Sequence, residues 1–375
     1  MQAILIVITR QIGDVLLTTP LVRAARERWP HAAIDVLGLE GTLGMLAGHP
    51  HLRQCLTVPA RTGATAALRL VWRLWRRYDL ALVADPGDRA HLIGAIAARE
   101  RSGLLPPTSG SNWWKRRLLR HAVTSGGDLS EVHVVREKLA LLAPWLGKKP
   151  LPAPELQAPA HEPLPEDLRA QLARGYIVIH APSMWTYKQW PLDHFAELVG
   201  LLTLAGRQVV LTGGPGATDR LAVAALTNAA ASTQVVDAGV LRFGQVAALI
   251  AGAALYIGPD TSVSHLAAAC GVPVLAIFGP TNPQRWAPWP GPNAGGTVFA
   301  RQAPVQTIGR ITLMQASLPC VPCGKAGCED HRESRSDCLL AIRPERVAQQ
   351  ALALLASRTM RPSPAETERG SLPEA

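Results

Sequence analysis

The sequence predicts an α/β protein made of two Rossmann-like units that face each other across a cleft. Three observations predict it. Apolar β-type runs alternate with helical periods along most of the chain, as in parallel, doubly wound sheets. The alternation breaks at "KKPLPAPELQAPAHEPLPEDL", where six prolines fall between residues 150 and 165, and afterwards restarts. At 375 residues the chain is too long for one ordinary core, so two domains are expected.

In order, residues 4–8 read as a buried strand, followed by the turn "TRQIGD". A helix is expected over about 15–29, with Leu16, Leu17, Leu21, Val22 and Ala25 on one face, ending before Pro30. "AAIDVLGL" and "YDLALVADP" are further strands, the latter preceded by the basic helix "ALRLVWRLWRRY". The prolines deny their segment both helix and central strand. Beyond it the expected order is strand "YIVIHA", helix 191–205, strand "QVVLTGGPG", helix 218–230 and strand "QVVDAG". Helix 243–253, strand "ALYIG", helix 262–270, strand "PVLAIFG" and a last helix over about 344–357 complete it. The resulting division is 1–150, a linker 151–167, 168–342, a C-terminal helix 343–358 and a disordered tail 359–375.

Composition narrows the classes of function. The hydrophobic content of 48% excludes global disorder, and no apolar run reaches a membrane span. "MQAILIVITR" reads as a first strand, not a signal peptide, so a cytoplasmic protein is expected. The net charge of +10 lies wholly in residues 1–150, which hold 21 Lys and Arg against 11 Asp and Glu. Such a bias describes either a solvated basic face or a polyanionic partner for that half. Walker A, H-E-x-x-H and G-x-S-x-G sequences are absent, which argues against P-loop, zincin and α/β-hydrolase chemistry.

Several residues stand at the ends of strands, where open α/β sheets hold ligands. Asp14 follows Gly13 between the first strand and first helix. It could be a helix cap or a base, with Gly13 letting the turn approach a ligand. Asp260 and Thr261 end another strand and open a helix carrying His265. Carboxylate and hydroxyl there can hold sugar hydroxyls and phosphate oxygens, or cap the helix. Gly213 and Gly214 in "TGGPGATD" follow a strand, either as a tight turn or as amides facing a phosphate. Lys188 is the one Lys or Arg within 175–206. It is either a surface lysine or a cation for a bound anion.

Three segments carry a resemblance: "ILIVITRQIGDVLLTTPLVRAARERWPHAAIDVL", "APSMWTYKQWPLDHFAELV" and "GPDTSVSHLAAACGVPVLAIFGPTNPQRWAPW". They resemble, in family order, the opening, donor-domain and C-terminal motifs of glycosyltransferase family 9, the lipopolysaccharide heptosyltransferases. "GDVLLTTP" and "SNWWKRRLLRHAV" are most similar to heptosyltransferase III-type members. The resemblance implies the GT-B fold, with an N-terminal acceptor domain and a C-terminal nucleotide-sugar domain. It implies inverting, metal-independent transfer from a nucleotide sugar, with ADP-heptose the usual donor, and no cofactor in catalysis. Asp14 then becomes the general base, Lys188 the phosphate-binding lysine and Ser183 a hydroxyl contact near it. The sequence departs from the family at Ser262, where glycine is usual, and at Ala217, Thr218 and Asp219, where glutamate is usual. Another nucleotide sugar, a binding protein without transfer, or an epimerase are the alternatives.

Cys320, Cys323, Cys328 and Cys338 form C-x2-C-x4-C-x9-C. This spacing suits either a structural zinc or reduced thiols and reversible disulfides; Cys55 and Cys270 read as buried small residues. Two stretches join aromatic and basic residues. In "LRLVWRLWRRYD" the stripe Leu68, Val71, Trp72 and Trp75 is expected in the core, with arginines outward. "SNWWKRRLLRH" is expected on the surface, where Lys115, Arg116 and Arg117 would hold the phosphates of a lipid-linked core oligosaccharide or the inner face of the cytoplasmic membrane. The protein would then be peripheral to that membrane. No nucleic-acid motif accompanies the patch, so no nucleic-acid partner is expected.

Overall fold

The structure is a computed structural model that describes residues 1–61, 63–107, 112–230, 232–291 and 299–359. Two sheets organise it. The first contains β1 (Ala3–Ile8), β2 (Ala33–Leu39), β3 (Gln54–Val58), β4 (Tyr78–Val83), β5 (Ala98–Leu105) and β6 (His121–Thr124). Its helices are α1 (Ile12–Leu16), α2 (Thr19–Arg28), α3 (Ala64–Leu74), α4 (Asp88–Ala97), α5 (Trp113–Leu118), α6 (Val134–Ala140) and α7 (Ala143–Leu146). The strands run in the order β3-β2-β1-β4-β5-β6, every pair parallel.

The second sheet contains β7 (Ile177–His180), β8 (Val209–Thr212), β9 (Val235–Asp237), β10 (Leu255–Pro259), β11 (Val274–Phe278), β12 (Val305–Ile308) and β13 (Ile311–Gln315). Its order is β12-β13-β11-β10-β7-β8-β9; only β12 with β13 is antiparallel. The accompanying helices are α8 (Glu166–Gln171), α9 (Leu192–Leu204), α10 (Ala217–Ala230), α11 (Phe243–Ala251), α12 (Ser262–Ala269), α13 (Pro283–Trp286), α14 (Asp337–Leu340) and α15 (Pro344–Thr359). The central strands β1, β4, β7, β10 and β11 are buried along nearly all their length, which is why they read as continuous apolar runs.

Each sheet has one point where the strand order reverses direction. In the first it lies between β1 and β4, in the second between β7 and β10. The segments that follow β1, β7 and β10 carry Asp14, Lys188 and Asp260. The expected ligand residues therefore converge on the two crevices that such sheets open for ligands.

One predicted helix is broken. The span 15–29 is two helices, α1 and α2. The Asp14 carbonyl accepts bonds from Thr18 Oγ1 at 2.8 Å and Lys138 Nζ at 2.6 Å, and the Thr18 N–H turns to Val15 O instead. Pro20, in the first turn of α2, lacks the N–H that a continuous helix needs. Asp14 itself is in the first turn of α1, whose N-cap is Gln11. The cap alternative for Asp14 is thereby removed.

The proline segment forms no regular element between α7 and α8 and ties into both halves. Ala160 N bonds Ala47 O, and Glu162 N bonds Gly244 O. Trp289 Nε1 donates to Pro154 O at 2.9 Å. A buried pair also joins the halves: Arg285 Nη1 lies 2.6 Å from Glu137 Oε1, and its Nη2 lies 2.9 Å from Ser125 Oγ. α15 packs on α9, with Trp190 Nε1 donating to Ile342 O at 3.0 Å. The tail beyond residue 359, expected to be disordered, lies outside the described residues. No described helix is long and apolar enough to cross a membrane.

Candidate active site

The first wall of the site is built by the loop after β1. Thr9 binds Asp85 through both its N–H and its Oγ1, so the carboxyl ends of β1 and β4 are tied together before α1 begins. Asp14 then presents a carboxylate whose side chain is 13% exposed. Arg10 Nε stands 3.5 Å from Oδ2, and Lys138 Nζ stands 3.8 Å from Oδ1. No described group donates a hydrogen bond to that carboxylate, so it keeps lone pairs that could accept a proton. Lys138 is 1% exposed and also donates to Thr18 Oγ1 at 3.1 Å. Burial pushes its ammonium down to about 8, against the pull of Asp14.

The second wall comes from β7 and β10. Lys188 ends a short 3₁₀ turn, Thr186–Lys188, and its Nζ donates to Asp260 Oδ2 at 2.6 Å. Burial would raise the Asp260 carboxyl, but the charge and hydrogen bond of Lys188 outweigh it and hold the group below the ordinary range. Lys188 shows the reverse: burial lowers it, and Asp260 raises it more. Thr261 occupies the N-cap position of α12 without capping it, and its Oγ1 is buried without a hydrogen-bond partner. His265 Nδ1 is equally unpartnered, and burial holds the ring down to about 4, so it is neutral at pH 7. Both atoms lie on α12 or at its N-cap, and a buried polar atom without a partner calls for an explanation. Ser183 is buried nearby in sequence, its carbonyl held by Gln189 Nε2 at 2.8 Å.

The two walls meet. A Cβ built on Gly13 would lie 3.4 Å from Ser262 Cβ and 3.8 Å from His265 Cδ2. Gly13 thus abuts α12, and its packing leaves room for a methyl group. Asp14 is close enough to favour the charged forms of both Lys188 and His265.

Other expected residues sit differently. The Gly214 N–H is taken by Asp219 Oδ2 at 3.2 Å, and a Cβ on Gly213 would come within 2.8 Å of Val223 Cγ2. Both glycines thus permit α10 to pack closely on β8, and one expected phosphate donor is already occupied. Lys115 is a correction. It is 3% exposed, donates to Pro86 O at 2.9 Å and pairs with Asp88 Oδ1 at 2.6 Å. Helical spacing turns it inward while Arg116 and Arg117 stay exposed. The stripe Leu68, Trp72 and Trp75 is the opposite correction, because it faces solvent. Cys55 is exposed on the edge strand β3 and Cys270 is half-buried.

The four clustered cysteines are free thiols. Cys320 and Cys328 are exposed, Cys323 is intermediate and Cys338 is buried. Burial, aided by the other three, pushes the Cys338 thiol up to about 12. Among the described residues, no group of three or more His, Cys, Asp or Glu is placed to hold a metal ion.

Lys138 was not among the expected site residues. In sequence it is one lysine on an amphipathic helix, and the group it meets is 124 positions away.

Comparison with known proteins identifies the fold and the family. A lipopolysaccharide heptosyltransferase 3 from Escherichia coli is 30% identical over 292 residues, covering 75% of this chain and 83% of that protein. The solved Escherichia coli ADP-heptose lps heptosyltransferase II shares the fold, with a TM-score of 0.68 at 23% identity over 96% of this chain and all of that one. An Escherichia coli heptosyltransferase solved with ADP-2-deoxy-2-fluoro heptose gives 0.67 at 19% identity, over 94% and 99% of the two chains. Both are GT-B proteins. The model of glycosyltransferase family 9 (heptosyltransferase) matches residues 68–305, and the chain belongs to that family.

Proposed function

We propose that this glycosyltransferase moves heptose from ADP-heptose to the phosphorylated, lipid-linked inner core of lipopolysaccharide, with inversion and without a catalytic metal. The observation that carries the reading is the meeting of two unlike walls, a carboxylate with free lone pairs opposite a lysine held at a second crevice. The donor follows relatives that are named for ADP-heptose or solved with its fluoro analogue.

In this reading the Asp14 carboxylate takes the proton of an acceptor hydroxyl as its oxygen attacks the anomeric carbon. The bond from that carbon to the diphosphate oxygen breaks, and its electron pair leaves with ADP. Attack from the face opposite the leaving group inverts the centre. Lys188 meets the charge that develops on the diphosphate, while Asp260 holds the lysine in place. Thr261 Oγ1, His265 Nδ1 and Ser183 supply hydrogen bonds to sugar and phosphate. Arg116 and Arg117 meet phosphates of the acceptor; Lys115, already paired, supports their helix. The acceptor domain is 1–150 and the donor domain 168–342, and the enzyme works peripherally at the inner face of the cytoplasmic membrane.

Product analysis with purified enzyme tests the reading. ADP release from ADP-heptose should require a heptose-deficient core acceptor, which gains one heptose. Donor turnover without acceptor would indicate an epimerase or hydrolase, and absence of turnover would indicate a binding protein.

A further inference from the structure

We propose that α3 is a bilayer-docking helix, which lays its Leu68–Trp72–Trp75 stripe into the headgroup region of an anionic membrane. The three side chains are 69%, 79% and 60% exposed. At about 100° per residue they form one stripe. Ala67, Leu70, Val71 and Leu74 form a second stripe, turned toward the protein, where Leu74 is 1% exposed and packs with Leu56, Val58 and Tyr78 of the sheet. Arg69 and Arg73 form a third, about 100° round from the apolar one, and Arg76 and Arg77 follow just beyond the helix. All four arginines are exposed. A helix that is buried on one side, apolar and aromatic on the next and basic on the third has three environments to satisfy. Sheet, acyl–headgroup boundary and anionic headgroups supply them in that order.

The occupant is chosen by charge and by residue type. No Asp or Glu occurs between residues 61 and 78, and Arg69, Arg73 and Arg77 form no ion pair among the described residues. A protein partner of ordinary surface would leave them uncompensated. Indole rings favour the water–lipid interface, and arginines are attracted to acidic headgroups. α3 follows the carboxyl end of β3, so its N-terminal end lies at the same edge of the first sheet as Asp14. A membrane beneath α3 therefore lies beside the acceptor wall. The inference depends on the proposed lipid-linked acceptor for its purpose, but its test does not require transfer.

The experiment is co-sedimentation of the full chain with vesicles of phosphatidylglycerol and phosphatidylethanolamine, and with vesicles of phosphatidylcholine alone. The protein should bind the first and not the second, and rising salt should release it. The variant Leu68→Ser, Trp72→Ser, Trp75→Ser should lose about tenfold or more in vesicle affinity. It should keep its wild-type activity on a delipidated, water-soluble acceptor and its circular dichroism. Arg69→Gln, Arg73→Gln, Arg77→Gln should bind weakly and lose the salt dependence. Three results would overturn the proposal: wild-type vesicle binding by the serine variant, no vesicle binding by the wild type, or a dimer in light scattering that the serine variant dissolves. Loss of transfer to the soluble acceptor in the wild type would instead strike the proposed function and leave docking intact.

Discussion

The two walls of the cleft carry the same pair of charges in opposite arrangements. On the first, a carboxylate stands between two cations that stay at 3.5 and 3.8 Å. On the second, a carboxylate is locked to a lysine at 2.6 Å and is nearly inaccessible. A base must keep a lone pair free for a proton, so the loose carboxylate suits chemistry on the acceptor. In the proposed function the locked one is a countercharge that keeps Lys188 in place for the donor. Asp14 lies in the first turn of the helix after β1 and Asp260 just before the N-cap of the helix after β10, and in the proposed function their surroundings separate their roles.

The largest effect should come from removing the loose carboxylate. Asp14→Asn should cut kcat by about 10²–10⁴, while donor affinity by calorimetry stays within about twofold of wild type, since the donor contacts belong to the other wall. Equal losses in donor affinity and kcat would erase the distinction between the walls.

Lys188→Met should come next. A charge-assisted bond to phosphate contributes about 1.5–3 kcal/mol, so ADP affinity should fall by roughly 10- to 150-fold. Because the change also strands Asp260, the double variant with Asp260→Asn should recover thermal stability but not ADP affinity. Full recovery of ADP binding in the double variant would make Lys188 a structural partner only.

A pH experiment sharpens the first wall. Burial lowers Lys138 to about 8 from an ordinary 10.5. Between those values the unfolded chain binds more protons than the folded one, so stability rises with pH across that window. Below about pH 8 the charged lysine is fully penalised by burial. Lys138→Met should remove this rise, an effect on the order of 3 kcal/mol at most. The check is the difference in Tm between about pH 7 and pH 10 for variant and wild type. An unchanged rise in the variant would assign it to other groups. Smallest of all, Arg116→Gln with Arg117→Gln should raise acceptor KM about two- to fivefold at low salt and leave donor KM alone. A wild-type acceptor KM at low salt would return both arginines to the solvated surface.

The residues that lie at strand ends were legible in the sequence because strand, turn and helix follow one another within a few positions. β1 with Asp14, and β10 with Asp260 and Thr261, read directly from "IVITRQIGD" and "LYIGPDTSVSH". What long-range packing decides was not. α3 and α5 are both aromatic and basic, and each expectation failed in part: Leu68, Trp72 and Trp75 face solvent instead of the core, and Lys115 alone of its basic run is buried, against Asp88. Helical periodicity identifies a stripe but cannot name the neighbour it meets. β5 was missed because its first half, "ARER", carries charges that the alternation does not predict. Arg101 is satisfied there by the carbonyls of Leu118 and Ala98, partners that only the folded chain supplies. Lys138 was missed for the same reason.

Central to this account is a single displacement assisted by Asp14. The direct measurement is the anomeric configuration of the newly attached heptose, determined by NMR on product made from donor of known configuration. The account predicts the opposite configuration from the donor. Retention would contradict it, because it requires either a covalent intermediate or front-face attack, and neither needs one carboxylate on the acceptor wall.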